Sequence, residues 1–205
     1  MATPTGRLSR RESQARTREQ LLGSAAVVFG ERGYECASIE EIARHAGVTT
    51  GAIYSNFAGK GDLFLALFDR QVEARVRELT DPPALSARHW MNFLSEEPQL
   101  YPLFLEFCVH AARRPELQAR LAASFARYRA AVAALVEAAA RKRRAALEAG
   151  AADRMAAAIV ALGNGVAVER LADPDAVPDD LYGWALQLLL DGFDRSARET
   201  SGTKP

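Results

Sequence analysis

The chain of 205 residues is long enough to bury a sizeable core, in one domain or in two small ones. Its 26 lysines and arginines balance its 26 aspartates and glutamates, so the formal net charge of zero gives no overall attraction to nucleic acid. Apolar residues (49%) and charged residues (25%) are at ordinary globular levels, which excludes extended disorder. The N-terminus lacks the apolar core of a signal peptide, and no run approaches about 20 apolar residues, so we expect a cytoplasmic protein without membrane spans.

Charge is unevenly distributed at the N-terminus. Residues 1–18 contain five arginines against one acid, Glu12. Such a basic arm on a neutral protein is suited to contacting the phosphates of nucleic acid. For residues 1–9 a disordered, solubilising tail is an equally good interpretation.

The first three predicted helices have clear sequence signals at their ends. Apolar residues recur at helical spacing through residues 10–32, and Gly33 suits a left-handed helix cap. Ser38 and Glu41 form an S-x-x-E capping box, which predicts the start of a second helix. Gly47 breaks that helix, and Thr49 is a good N-cap for a third helix that runs to about Asn56.

The spacing of apolar residues joins these two short helices into one unit. Ile42, Ala43 and Ala46 supply the buried face of the second helix, and Ile53 locks the third helix onto it. A small residue at the helix crossing, a glycine in the turn and an apolar anchor are typical of a helix-turn-helix. In that motif the second helix of the pair is free to enter the major groove of DNA.

The remaining chain is also predicted to be helical throughout. A fourth helix begins around Gly59 to Gly61 and continues to about Leu79, with Phe64, Leu67 and Phe68 packing under the helix pair. The sequence Asp81-Pro82-Pro83 ends it, and we predict a domain boundary here, dividing the chain into residues 1–80 and 81–205. Further helices are predicted at residues 85–96, 100–112, 115 to about 149, 155–171 and 181 to about 195.

Two features of the long helix from Pro115 follow from its composition. The helix is alanine-rich, spans over 30 residues without internal glycine or proline, and is expected to end at Gly150. The basic run at 141–144 lies near its C-terminus, where the helix macrodipole favours cations, so we interpret it as a solvated helix end.

The last two helices are small and apolar nearly all round. A terminal helix pair of this kind cannot be enclosed by its own chain, so a symmetric dimer interface is expected, with one contiguous intramolecular core as the alternative. The residues predicted at this interface are Ala157, Ala161, Leu162, Gly165, Trp184, Leu188, Leu189 and Gly192.

No pattern in the chain indicates catalysis or metal binding. The two cysteines, Cys36 and Cys108, are far apart, as expected of a reducing compartment, and have no clustered histidines that would complete a zinc site. The three histidines, His45, His89 and His110, are scattered, and neither a nucleophile elbow nor a glycine-rich phosphate loop is present. We therefore predict a protein that is not an enzyme and that uses no metal or cofactor.

Residues 17–67 closely resemble the N-terminal domain of TetR-family transcriptional regulators. The resemblance rests on FGERGY at 29–34, AGV at 46–48, and Gly51, Tyr54, Phe57 and Lys60 in and after the third helix. It implies an all-α fold of about nine helices, with a three-helix helix-turn-helix DNA-binding domain followed by a helical ligand-binding and dimerisation domain. One departure is Gly61, where the family usually has an acidic residue that favours helix.

The same resemblance assigns the DNA contacts. It implies contacts to operator bases and phosphates from Thr49, Thr50, Gly51, Ala52, Tyr54, Ser55 and Asn56. It implies phosphate contacts from Ser38, Tyr54 and Lys60, and Arg18 of the basic arm is a further candidate. These side chains are short, so the helix must approach the bases closely and much of the affinity must come from phosphates.

The resemblance also implies how the protein acts. A homodimer would bind a pseudo-palindromic DNA operator, as a repressor, and would be released by a small, largely apolar effector of unidentified structure. The effector candidates are Trp90, Phe93, Phe104, Phe107, Cys108, Phe125, Tyr128 and Asn164, although plain core packing is the better explanation for each aromatic. The alternative function is a helical protein-interaction module that does not bind DNA.

Overall fold

The computed structural model describes residues 10–78, 83–142 and 147–202, and every regular element in these ranges is an α-helix. The all-α prediction is therefore confirmed. Nine helices lie in the described ranges: α1 (Arg10–Cys36), α2 (Ile39–Ala46), α3 (Thr50–Tyr54), α4 (Lys60–Glu78), α5 (Pro83–Glu96), α6 (Leu100–Ala112), α7 (Pro115–Lys142), α8 (Ala151–Ala172) and α9 (Leu181–Gly202).

The helix ends near the N-terminus follow the local cap signals. α1 continues past its predicted end to Cys36, but Gly33 interrupts it with φ 74° and ψ 167°, a backbone conformation that is open almost only to glycine. α3 is shorter than predicted, because helical geometry ends at Tyr54 and Ser55 and Asn56 form a turn.

The prediction of one helix from Pro115 to residue 149 is wrong. α7 ends at Lys142 in the structure, residues 143–146 lie outside the described ranges, and Leu147 and Glu148 are not helical. Gly150 does not end α7. It adopts φ 73° at the position just before α8, which therefore begins at Ala151 rather than at Met155.

Three apolar clusters hold the helices together. The largest contains the buried faces of α1 to α4 and extends across the predicted domain boundary to Leu103, Phe107 and Ala111 of α6 and Leu121 of α7. The second joins α5, α8 and α9, and the third joins α7 and α8. The division at residue 80 stays a prediction, and two of the three residues at its centre lie outside the described ranges. The N-terminal helices nevertheless share a core with α6 and α7.

α8 is long and apolar enough to cross a bilayer by length and composition alone, with a mean hydropathy of 1.4. Core helices of soluble proteins pass the same test, and α8 packs against α7 and α9. α8 passes this test by length and composition only, and its contacts with α7 and α9 are those of an ordinary helix in a helical bundle.

Candidate nucleic-acid interface and internal cavity

The ends of α2 are fixed by local hydrogen bonds. The Ser38 hydroxyl accepts a hydrogen bond from the Glu41 backbone N–H at 3.1 Å, which is one half of the predicted capping box. The Glu41 carboxylate accepts instead from Arg32 Nε at 3.2 Å. At the other end Gly47 takes φ 66° and ψ 28°, and its N–H and that of Val48 donate to carbonyls of the last turn. This closed turn sets the angle between α2 and α3.

α3 buries the side chain of Ile53, leaves Thr50 and Ala52 half-buried, and exposes Gly51 and Tyr54. Thr49 Oγ1 accepts from the Ala52 N–H at 3.3 Å, which caps the helix. Ile53 is fully buried in the main core, whereas the side chain of Tyr54 is 57% exposed. Gly51 is also exposed. A single anchor therefore holds a helix whose outer face is available to a partner.

The C-terminal end of α3 is held by its own side chains and by α1. The Ser55 hydroxyl and the Asn56 amide both donate to the Ala52 carbonyl, at 2.9 and 2.8 Å. Arg18 Nη1 donates to the Asn56 carbonyl at 3.0 Å, and its guanidinium lies 4.3 Å from the centre of the Phe57 ring. Three of the predicted DNA contacts thus also position the helix that they belong to.

Lys60 lies at the junction of α1, α2 and α4. Its ammonium donates to the backbone carbonyls of Glu35 (3.0 Å) and Ala37 (3.1 Å) and lies 4.7 Å from the centre of the Tyr34 ring. An ammonium has three N–H donors, so one remains for a phosphate oxygen. The structure therefore shows a positioning role for Lys60, and this role is compatible with the predicted phosphate contact.

The basic arm continues into the first turns of α1. Arg11 and Arg16 are exposed on that helix, whereas Arg7 and the side chain of Arg10 lie outside the described residues. Two exposed guanidiniums at the free end of α1 are consistent with a role in holding phosphates.

A polar seam joins the turn after Gly33 to α6. The Tyr34 backbone N–H donates to Glu106 Oε2 at 2.7 Å, and the Tyr34 ring packs edge-on against Phe107. His110 Nδ1 lies 2.5 Å from Glu35 Oε1, and this hydrogen bond, with the positive groups nearby, lowers the pKa of Glu35. This contact could not be predicted from the sequence, because Tyr34 and Glu106 are separated by 72 residues.

A second seam joins α4 to α7. Asp62 pairs with Arg120, and Asp69 pairs with Arg127 at 2.5 Å. Between these helices Gly61 allows close approach: a Cβ at this position would lie 3.0 Å from a methyl group of Leu117. The glycine that departs from the family pattern is therefore explained by the packing of α4 on α7.

An internal cavity lies between α4, α5, α6, α7 and α8, with an empty volume of about 810 Å³ that includes some open solvent. Its walls are apolar and largely aromatic. Six of the eight predicted effector residues line it, namely Trp90, Phe93, Phe104, Phe125, Tyr128 and Asn164. Phe107 and Cys108 do not: Phe107 is fully buried and stacks on Phe64 with ring centres 4.2 Å apart, and Cys108 packs against the main core.

Several lining residues were missed in the sequence. Gln71 and Arg75 of α4, Tyr101 of α6 and Tyr182 of α9 all face the cavity. On α4 they follow Phe64 and Phe68 at spacings of three and four residues, the period of one helix face. Arg75 on that helix face could have been recognised in the sequence as a polar group inside an apolar pocket.

An exposed apolar face remains on the last two helices. On α8, Ala157, Ala161 and Gly165 are exposed, and on α9 the side chains of Trp184 and Leu188 are 61% and 50% exposed. Leu162, Leu189 and Gly192 are half-buried. Large apolar side chains exposed along a helix pair are typical of a surface that another chain covers.

Comparison with known protein families decides the identity of this arrangement. Residues 21–67 match the model of bacterial regulatory proteins of the tetR family, and residues 88–192 match that of the BetI-type transcriptional repressor C-terminal domain. The chain belongs to the TetR family. The resemblance based on residues 17–67 is thereby confirmed, and the C-terminal domain is of the BetI type.

Curated relatives match part of the chain. The transcriptional activator FasR of Mycolicibacterium smegmatis is 34% identical over 99 residues, which is 43% of this chain and 45% of FasR. The transcriptional repressor BepR of Brucella suis is 48% identical over 56 residues, which is 27% of each chain. In both cases the match spans less than half of the relative's length. FasR is thus a transcriptional activator, and BepR is a transcriptional repressor.

A solved TetR-like structure agrees over most of the fold. The structure of a SmeT–triclosan complex superimposes with a TM-score of 0.67 at 24% identity, covering 86% of this chain and 91% of that one. This likeness shows the shared fold and extends from the helix-turn-helix helices into the C-terminal bundle.

Proposed function

We propose that this TetR-family regulator is a ligand-responsive repressor that binds a pseudo-palindromic DNA operator as a homodimer in the cytoplasm. The observation that carries the proposal is the exposed, doubly capped α3, held by Ile53 from below and by Arg18 at its end. A short helix with a fixed orientation and a free outer face has the geometry needed to read a major groove.

Base reading comes from the N-terminal turns of α3. Thr50 offers a hydroxyl and a methyl group, and Ala52 offers a methyl group that suits the thymine methyl. Thr49, Gly51, Ser55 and Asn56 complete the stretch that approaches the DNA. Because these side chains are short, Ser38, Tyr54, Lys60, Arg18 and the arginine arm supply phosphate contacts.

Dimerisation supplies a second copy of the reading head, which is the helix pair α2 and α3. The exposed faces of α8 and α9, with Trp184 and Leu188 at their centre, support a four-helix interface with the partner subunit. Two copies of α3 then lie in successive major grooves, about 34–36 Å apart, which dictates a pseudo-palindromic operator.

The cavity is the proposed effector site. Its apolar, largely aromatic walls are those of a small-molecule pocket, and a protein of similar fold binds triclosan in the SmeT complex. Because α4 lines the cavity and also begins next to α1 and α2, an effector that prefers one position of α4 shifts the spacing of the reading heads. Repression is favoured over activation by the repressor-type C-terminal domain.

Selection of bound duplexes from a random pool tests this proposal. Enrichment of an inverted repeat, with binding that weakens steeply as salt rises, is the expected result. Binding without sequence preference would favour the alternative of a helical protein-interaction module. Tyr54→Ala should weaken binding to all duplexes, whereas Thr50→Ala should also relax base preference at one position of each half-site. Equal, sequence-blind losses from both variants would contradict the assignment of α3.

The dimer interface has its own test. An arginine at Ala161 places an unpaired charge in the centre of the proposed interface, so sedimentation should show monomers. Asp153→Arg, an exposed change on the first turn of the same helix, is the matched control and should stay dimeric. A dimeric Ala161→Arg variant would place the interface elsewhere.

A further inference from the structure

Most polar side chains that line the cavity are already engaged within the protein. Trp90, Tyr101 and Tyr182 each donate a hydrogen bond to a backbone carbonyl of α8, at 3.1, 3.0 and 3.4 Å. Arg75 and Tyr128 also interact with other groups of the protein. These five side chains therefore serve the packing of the helices around the cavity.

Two polar lining side chains differ from these five. The amides of Gln71 on α4 and Asn164 on α8 form no hydrogen bond to a described residue, and both side chains are half-buried. A side-chain amide has two N–H donors and a carbonyl acceptor. Leaving such groups without a partner away from bulk water costs free energy. Hydrogen-bonding capacity is thus available on two walls of the cavity.

The backbone of Asn164 is held in a fixed position. Its carbonyl accepts the Tyr101 hydroxyl, and the carbonyl of the preceding residue, Gly163, accepts the Trp90 Nε1–H. Gly163 also lets Tyr182 pack closely on α8, because a Cβ at this position would lie 3.2 Å from the Tyr182 hydroxyl oxygen. The point from which the Asn164 amide projects is therefore set before a ligand binds.

Gln71 interrupts an aromatic face of α4. Phe64 and Phe68 precede it on the cavity side at helical spacing, and Phe68 stacks on Phe104 with ring centres 5.0 Å apart. Aromatic rings gain energy from packing against other aromatic rings beyond the area that they bury. An aromatic ligand that packs on this face of α4 lies beside the Gln71 amide.

The groups that line the cavity favour an uncharged ligand. No carboxylate is among the described lining residues, so an ammonium group would enter without a counter-charge. Arg75 is the one cation of that set, and it already contacts aromatic rings and other groups of the protein. Moving an ion from water into largely apolar surroundings is costly unless it is paired, whereas amides bond readily to neutral hydroxyl and carbonyl groups.

We propose that the effector is an uncharged aromatic compound with a hydroxyl or carbonyl group, and that Gln71 and Asn164 select for its polar groups. This inference rests on the proposed function, because it names the chemical class of ligand for the same cavity. The aromatic walls bind the body of the ligand, and the two amides supply the specificity. An analogue without the polar group displaces the water around the amides and leaves them without a partner.

Equilibrium dialysis of the full-length protein against matched naphthalene derivatives tests the ligand class. The uncharged polar probes are 2-naphthol and 2-acetylnaphthalene. Their apolar counterparts of similar shape are 2-methylnaphthalene and 2-isopropylnaphthalene, and the charged probes are 2-naphthoate and 2-(aminomethyl)naphthalene. At least one polar probe should bind about fivefold or more tightly than its apolar counterpart, and more tightly than both charged probes.

An apolar cavity without polar recognition would give the opposite order, because the more hydrophobic counterpart gains more from leaving water. A smaller ratio for both polar probes would therefore overturn the proposal. It would also be overturned by a charged probe that binds as tightly as the better polar probe, or by the absence of saturable binding of either polar probe.

Variants assign the preference to the two amides. Gln71→Met and Asn164→Leu replace each amide by an apolar side chain of similar size. In the double variant the polar probe should lose its advantage, while its apolar counterpart binds at least as tightly as before, which shows that the cavity is intact. Gln118→Met on α7 and Asn92→Leu on α5 make the same changes at exposed positions outside the cavity lining and should leave the ratio as it was. An advantage retained in the double variant would refute the assignment.

The stability of the ligand-free variants separates ligand recognition from a structural role. Because neither amide bonds to a described residue, Gln71→Met and Asn164→Leu should not lower the midpoint of urea unfolding. A lower midpoint, or failure to fold, in either variant would show that its amide supports the fold and would remove that residue from the assignment. The ranking of the probes on the unmodified protein still decides the ligand class in that case.

The two proposals fail separately. The probe ranking is measured on free protein without DNA, so it stands or falls whether or not a specific operator is found. The preferred polar probe, and not its apolar counterpart, should release a selected duplex. A duplex that stays bound when the preferred probe saturates the cavity would overturn the role of this ligand class as effector, and the DNA-binding proposal would stand.

Discussion

The contact between Glu106 and the Gly33 turn predicts a measurable coupling between α6 and the reading head. A Cβ at residue 33 would lie 2.9 Å from Glu106 Oε2, the atom that accepts the Tyr34 N–H. Gly33→Ala therefore carries two costs: about 1–3 kcal/mol for a side chain at φ 74° and ψ 167°, and about 1–3 kcal/mol for displacing the carboxylate from a partly buried N–H. Glu106→Ala carries only the second.

The double variant loses the hydrogen bond between the Tyr34 N–H and Glu106 only once. It has no clash, because the Glu106 carboxylate is absent. Its destabilisation should therefore match that of Gly33→Ala alone, and fall short of the sum of the single variants by about 1–3 kcal/mol. Urea unfolding followed by helical circular dichroism, at one fixed protomer concentration, measures all four proteins. The control pair is Gly23→Ala with Glu106→Ala, since a Cβ at Gly23 meets nothing within 4 Å. Additivity within about 0.5 kcal/mol in the Gly33 cycle would refute the clash and the shared hydrogen bond.

Three further predictions concern the ends of the helices in the reading head. Burial alone would raise the pKa of Asp62, but hydrogen bonds from Arg120 and from the Ala58 N–H (2.7 Å) lower it. The ionised Asp62 carboxylate therefore stabilises the folded protein fully above about pH 4, and this contribution is lost as the pH falls through the lowered pKa. Urea titrations should show the gap between wild type and Asp62→Asn narrowing at acid pH, and a constant gap would contradict this. Gly47→Ala should lower the free energy of unfolding by about 1–2 kcal/mol, because residue 47 has a φ of 66° and an added Cβ would meet no other atom. Gly47→Asn should lower it by less, because asparagine tolerates this backbone conformation better than alanine. Equal losses from the two variants would contradict a conformational origin. Lys60→Met should lower the free energy of unfolding by about 1–3 kcal/mol, since two backbone carbonyls lose a charged donor, and an unchanged midpoint would show that they are solvated.

Features that depend on a few neighbouring residues could be predicted from the sequence. Ser38, Gly47 and Thr49 cap or end their helices as expected, because cap chemistry operates over three or four residues. The capping box formed only by half, since Arg32, nine residues away from Glu41, competes for its carboxylate. Even a local motif can thus be changed by a partner outside its own span.

The end of α7 could not be predicted because propensity and packing disagree there. Alanines favour helix up to Gly150, yet α7 and α8 pack against each other, and the chain must leave the helix to turn back. The partly buried Leu147 packs against the α7–α8 cluster from outside the helix. Tertiary packing therefore decided where this helix ends.

The cavity shows the same limit for aromatic side chains. Phe104 and Phe107 lie three residues apart on α6 and have equal signals in the sequence, but the first lines the cavity and the second stacks on Phe64 in the core. Which ring faces the empty volume is set by helices far away in the chain. Arg75 is more informative than these two phenylalanines, because a charged side chain on an otherwise apolar helix face needs polar contacts.

The coupling between cavity and operator has a thermodynamic consequence that can be measured from either side. If a ligand bound in the cavity weakens operator binding by some factor, the operator must weaken binding of that ligand by the same factor, since both describe one cycle of states. Titrating the ligand into protein saturated with operator duplex should therefore give a lower affinity than for free protein, by the ratio that duplex release shows. Unequal factors in the two directions would mean that the ligand acts at a second site outside the cavity.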